Sequence, residues 1–90
     1  MLNPRERRDL KARAHKLEPV VIIGGKGLTG EVLAEIERAL KAHELVKIRA
    51  PGLDREQRGQ ALVQICERTA AQPVQQVGKV LVLYRKKPDA

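Results

Sequence analysis

Aromatic residues are almost missing from this chain: Tyr84 is the single Phe, Tyr or Trp among 90 residues. That scarcity excludes surfaces that bind nucleic acid on platforms of stacked rings, and it dictates an aliphatic core. Cysteine is nearly as rare. Cys66 alone cannot close an internal disulfide, which fits a reducing compartment. His15 and His43 stand far apart without metal-ligand or catalytic spacing, and no nucleophile–base pair or paired acids suggest an enzyme. Long apolar runs are absent too, none approaching the roughly 20 residues of a membrane-spanning helix. The first residues, charged from Arg5 onward, lack the apolar segment of a secretory signal. The expectation is a cytoplasmic monomer needing no cofactor, metal, membrane or small-molecule substrate.

What the chain has in excess is positive charge. Eighteen Lys and Arg against eleven Asp and Glu leave a net charge of +7, which predicts attraction to polyanions, nucleic acid before anionic membrane. With 42% hydrophobic residues the chain can bury one core without disulfides or metals.

Helix and strand signals alternate. Asn3-Pro4-Arg5-Glu6 starts a first helix as a capping box with proline at its first position, and Leu10, Ala14 and Leu17 form its narrow apolar stripe. Pro19 ends it. Residues 20–23, Val-Val-Ile-Ile, read as a buried strand. Thr29 caps a second helix whose inner face is Val32, Leu33, Ile36, Ala39 and Leu40, with Leu28 and Leu33 spaced as a hydrophobic staple. Residues 45–50 alternate as a strand, with Val46, Ile48 and Ala50 on one face and Lys47 and Arg49 on the other. After Pro51-Gly52, Asp54 with Gln57 opens a third helix facing inward through Leu62, Ile65 and Cys66. Strands over residues 74–77 and 80–85 close the chain around Gly78. The reading is a single compact α/β domain of order αβαβαββ over residues 1–86. A four-stranded mixed sheet carries three helices, the first three strands run parallel, and residues 87–90 form a frayed tail.

Between the first strand and the second helix, Gly24-Gly25-Lys26-Gly27-Leu28-Thr29-Gly30 sets four glycines in seven positions. Gly25-x-Gly27-x-x-Gly30 matches a dinucleotide fingerprint in form. A Rossmann sheet needs more strands than this chain supplies, however, and Arg49-Ala50 stands where the acidic ribose ligand belongs. A Walker loop fits less well still, because Gly27 follows Lys26 in place of Ser or Thr. Tight turning alone explains one or two glycines, and Gly30 in particular. A third reading takes Gly24–Gly27 as a GxxG loop: side chains would block a nucleic-acid backbone from approaching the peptide, while the amides, the helix N-terminus and Lys26 face phosphate. Thr29, at the mouth of that helix, is counted with the loop. Arg49 at the end of the second strand and Lys79 at the start of the fourth are expected at the same sheet edge. Arg5 and Arg8, on the exposed face of the first helix, are expected to lie back toward it. Five cations would then converge on one cradle.

The run LKARAHKLEPVVIIGGKGLTGEVLAEIERALKAHELVKIRA with VGKVLVLYRK resembles the YhbY-like proteins, the stand-alone bacterial form of the CRM (chloroplast RNA splicing and ribosome maturation) domain. The likeness spans residues 2–86; its specific pieces are AH-x-L-x-P-V-V, the G-x-x-G-L-T loop, H-E-L-V-K and the final L-V-L-Y-R. It implies a fold similar to the C-terminal domain of translation initiation factor three, a KH-like GxxG loop used on RNA, and association with precursors of the large ribosomal subunit. Plant relatives assist group II intron splicing. Two other functions stay open: a non-catalytic ribosome-associated protein-interaction module, and a small nucleotide-binding domain. One departure is Thr69-Ala70-Ala71, where relatives often close the third helix with glycine; Pro73 is expected to stop the helix here.

Overall fold

Each helix begins where its local sequence can satisfy the free amides of a first turn. In the computed structural model, which describes residues 2–88, α1 (Pro4–Ala14) starts with a reciprocal bond pair: the Glu6 amide donates to the Asn3 side chain and the Asn3 amide to Glu6. Thr29 accepts from the Val32 amide to cap α2 (Gly30–His43), and Asp54 and Gln57 form the same box as Asn3 and Glu6 ahead of α3 (Arg55–Thr69). The strands are β1 (Val21–Ile22), β2 (Leu45–Arg49), β3 (Gln72–Val77) and β4 (Val80–Tyr84), in the spatial order β1-β2-β4-β3. β1 and β2 pair in parallel, and β4 pairs antiparallel with both β2 and β3. The expected common direction of the first three strands therefore holds, with the last strand lying between β2 and β3.

Strand alternation divides the interior into two apolar layers. Val21, Ile23, Val46, Ile48, Leu81 and Leu83 face α2 and α3, where they meet Ile36, Leu40, Leu62, Ile65 and Cys66. Leu45, Val74 and Val82 face the other way, toward Leu10 and Ala14 of α1, with Leu2, Val80 and Tyr84 partly buried around them. Burial among aliphatic neighbours pushes the Cys66 thiol up to about 11, so it packs as an uncharged small residue.

Several boundaries differ from expectation for tertiary reasons. β1 is only two residues long, although the amides of Val20 and Ile23 on either side still donate to the carbonyls of Lys47 and Arg49. Pro73 does not stop α3; it lies inside β3, at the sheet edge where its missing N–H costs no ladder bond, beside a register shift. α3 ends at Ala70, which takes the left-handed conformation (φ 59°, ψ 26°) that glycine usually supplies. A single residue, Glu44, joins α2 to β2, and this sharp reversal drives it to φ 60°. Lys87, expected within a frayed tail over residues 87–90, is bonded to the end of α2: its amide donates to the Glu44 carboxylate at 2.7 Å and its ammonium to the Ala42 carbonyl at 2.9 Å. Asp89 and Ala90 lie outside the described residues.

Arg85 ties three elements together just past β4. Its guanidinium makes two bonds to Glu37 of α2, at 3.0 and 2.5 Å, and one to the Thr69 carbonyl at the end of α3, at 2.9 Å. The hydrogen bonds from Arg85 hold the Glu37 carboxyl below its ordinary 4.5. The pair's contribution is therefore full above that value and disappears as pH falls through the lowered one. Because the Glu37 side chain is 36% exposed, solvent screening limits this to about 1 kcal/mol or less. Chemical denaturation between pH 7 and pH 3 should show part of the acid-side loss of stability vanish in Arg85→Ala. Ala70→Gly should act in the opposite direction. Relief of the left-handed strain, less the added freedom of the unfolded chain, gives about 0.5–1 kcal/mol, a rise of roughly 3–6 °C in Tm by calorimetry.

Candidate nucleic-acid interface

The glycines between β1 and α2 have separate roles. Gly27 donates its amide to the Gly24 carbonyl at 3.0 Å, closing a four-residue turn, and its φ of +73° is one that L side chains rarely adopt. Gly24 and Gly25 have no such requirement: neither has positive φ, and a Cβ on either would meet nothing within 4 Å. Their bareness serves nothing inside the protein. Both are exposed, as is Lys26 between Gly25 and Gly27.

Space on the inner side of the loop is set by Gly52. A Cβ there would sit 2.5 Å from the Gly25 nitrogen and 2.6 Å from the Gly24 carbonyl oxygen. The turn after β2 thus lies backbone-to-backbone beneath the loop, at a separation only glycine permits. Arg58 fixes that turn from α3 by donating to the Leu53 carbonyl at 2.6 Å.

The loop opens into a groove of about 590 Å³ lined by residues 24–27 and 29–32. Thr29 sits at its inner end with its hydroxyl oxygen taken by the Val32 amide. The turn bond and the cap use the amides of Gly27 and Val32 and leave those of Gly25, Lys26, Gly30 and Glu31 out. Donors from the loop and the first turn of α2 thus lie beside one ammonium, a combination suited to an anion. The Glu31 carboxylate on the far wall favours the Lys26 side for that anion.

Of the other expected cations, two share this end of the sheet. Arg49 closes β2 opposite Ile22 and Val80, and its carbonyl accepts from Ile23, one residue before the loop. The Lys79 carbonyl accepts from the Ala50 amide at 2.7 Å, so the β3–β4 turn is anchored to the same edge. Arg5 and Arg8 are not there. The start of α1 is pinned to the beginning of β3 by the bond from the Leu2 amide to the Gln72 side chain, and the other end of α1 by Lys47, whose ammonium donates to the carbonyls of Ala14 and Leu17 at 3.2 and 3.3 Å. The helix therefore crosses the sheet obliquely instead of returning along β1. Its N-terminus lies at the opposite end and edge of the sheet from the loop, and the expected five-cation cradle contracts to Lys26, Arg49 and Lys79.

Arg55 was missed. It opens α3 beside the β3–β4 turn, exposed and tied to β3 through its carbonyl, which accepts from Gln76 at 3.2 Å. Arg55, Glu56, Arg58, Gly59, Gln76 and Gly78 line a second open groove of about 710 Å³ against the β3–β4 turn. The signal was the basic pair in Asp54-Arg55-Glu56-Gln57-Arg58, whose only apparent meaning in sequence was a helix cap.

The sequence profile of the CRS1 / YhbY (CRM) domain matches residues 2–85. This chain belongs to the CRM domain family. Among its relatives, an RNA-binding protein of Haemophilus influenzae is 47% identical over 89 residues, covering 99% of this chain and 90% of that one. A Pseudomonas aeruginosa protein named "Probable RNA-binding protein" is 39% identical over 87 residues, covering 97% and 84%. The fold is similar to the solution structure of a hypothetical Staphylococcus aureus protein described as "a putative RNA binding protein", with a TM-score of 0.87 and 26% identity over 99% of this CRM chain and 93% of that one.

The two kinds of glycine separate experimentally. Gly52→Ala should cost about 1–3 kcal/mol through backbone overlap, while Gly25→Ala should stay within about 0.5 kcal/mol, both read by thermal unfolding.

Proposed function

We propose that this CRM protein binds structured RNA at the Gly24–Gly27 loop, in precursors of the large ribosomal subunit, and assists their assembly without catalysis. The single observation that carries the reading is the open, bare backbone of Gly24 and Gly25 beside Lys26 at the mouth of α2. Glycine stands there at an entropic cost with no internal strain or crowding to require it, which leaves close approach from outside as its use. A ribose-phosphate strand has the required chemistry: anionic, slender, and able to accept from successive amides. Arg49 and Lys79 extend the cationic edge, and Arg55 adds to it beyond the β3–β4 turn.

The names of the relatives and the net charge of +7 support RNA as the polyanion. The resemblance to YhbY-like proteins supports the ribosomal target. A small nucleotide is the weaker candidate, because Arg49 ends β2 where a ribose-binding carboxylate would stand. With Tyr84 the only aromatic residue and packed against the α1 layer, base stacking contributes little, so recognition works through phosphates and RNA shape.

Lys26→Glu should weaken binding to a large-subunit precursor RNA fragment by about tenfold or more with Tm unchanged, and Lys26→Ala should reduce the slope of log affinity against log salt by about 1. Filter binding across a salt series measures both. Equal affinity in Lys26→Glu would remove the loop from the interface.

A further inference from the structure

Large apolar side chains left in water on a small basic protein call for an explanation, and three of them lie in and just before β1, two of these at one corner. Leu17 is 40% exposed, Val20 50% and Ile22 61%. Their exposure follows from the tilt of α1. In and around β1, Val21 and Ile23 point into the α2–α3 core, so alternation turns Val20 and Ile22 to the sheet face that α1 occupies. But α1 is drawn across β2, β4 and β3 by its contacts with Leu45, Val74 and Val82, and it stops short of β1. β1 is also an outer strand of the sheet, paired only with β2.

The uncovered corner is a groove of about 620 Å³ between the end of α1 and the start of β2. Its floor is Ala12, Leu17, Val20 and Leu45; its walls carry Arg13, Lys16 and Lys47 against one carboxylate, Glu18. Lys47 is held in place by its two carbonyl bonds at the end of α1, whereas Arg13 and Lys16 are exposed. His43 closes the end of the groove. An aliphatic floor with a predominantly cationic wall is complementary to a segment that alternates aliphatic and acidic side chains.

We infer that this groove is a docking site for an acidic, aliphatic segment of a partner protein, with its apolar side chains on Leu17 and Val20 and its carboxylates toward Arg13 and Lys16. Two other occupants fit less well. A second copy of this chain in a two-fold interface would set Arg13 and Lys16 against their own equivalents. RNA would find cations, but its polar backbone would cover an apolar floor. The site is separate from the Gly24–Gly27 loop: it opens on the α1 face, where β1 begins, and the loop leaves the far end of that strand.

The test uses the full chain, ¹⁵N-labelled, titrated with a synthetic twelve-residue peptide alternating Glu with Leu and Val, with the same peptide carrying Lys in place of Glu, and with an RNA hairpin. The Glu peptide should shift resonances of residues 13–22 and 43–47 and bind at least tenfold more tightly than the Lys peptide. Val20→Asp, at a half-exposed position, should abolish that preference while leaving Tm and RNA affinity unchanged, and Lys26→Glu should leave the peptide affinity intact. Equal binding of the two peptides, no binding of either, or shifts centred elsewhere would overturn the proposal. So would a concentration-dependent dimer in sedimentation that Val20→Asp dissolves, which would make a second copy the occupant. RNA shifts over residues 13–22 would likewise overturn it and assign the corner to the RNA surface.

Discussion

The last strand of the chain occupies the middle of the sheet, and the rest of the molecule is arranged around that fact. β4 is the sole link between β3 and the β1–β2 pair, so the sheet exists only once residues 80–84 are in place. It also joins the two apolar layers: Leu81 and Leu83, fully buried, belong to the α2–α3 layer, and Val82 belongs to the α1 layer. Arg85, one residue on, then ties α2 to the end of α3. A domain in which the final residues complete every layer gains most of its contacts together, because non-local pairing must precede the burial that rewards it.

The candidate interface is a product of the same register. With Arg49 paired to Val80, the β3–β4 turn is delivered to the end of the sheet where β1 releases the loop. The turn after β2 must pass between these features and α3, and it does so beneath Gly24 and Gly25 by giving up a side chain at Gly52. The cradle is thus rigid where it faces the protein and open where it faces solvent. Such a surface fits a partner recognised by its backbone, because what it offers is bare main chain beside cations.

Much of this was legible locally. The reciprocal caps at Asn3–Glu6 and Asp54–Gln57, the alternation in β2 and the parallel crossovers are written in short stretches whose physics does not depend on distant partners. Four features were hidden because their causes are tertiary. The tilt of α1 is set by Lys47 and Gln72, 30 or more residues from the carbonyls and amide they hold, so the sequence placed Arg5 and Arg8 at the wrong corner. The positive φ of Ala70 and Glu44 follows from how abruptly each helix must give way to a strand, without the glycine that announces such a turn. Arg55 acquired its position only when β3 and β4 closed over the start of α3. The glycines stand out as a group in the sequence, yet their division into one that turns the chain and two that leave space depends on backbone angles and surroundings, including a close approach by Gly52, that no short stretch displays.

A net charge of +7 draws a protein to any polyanion, so charge alone cannot select a target. Selection has to come from features that charge does not supply, and the two ends of β1 differ in that respect. At one end Gly24 and Gly25 leave main chain open, where the proposed reading seats a phosphate backbone; at the other Val20 and Leu17 stand bare between cations. The first surface gains when water on an anion is replaced by amide donors. The second gains in part when apolar surface leaves water, a contribution that salt does not screen as it screens the contacts of cations with an anion. Two surfaces that differ in what they bury can be occupied together without competing for one ligand.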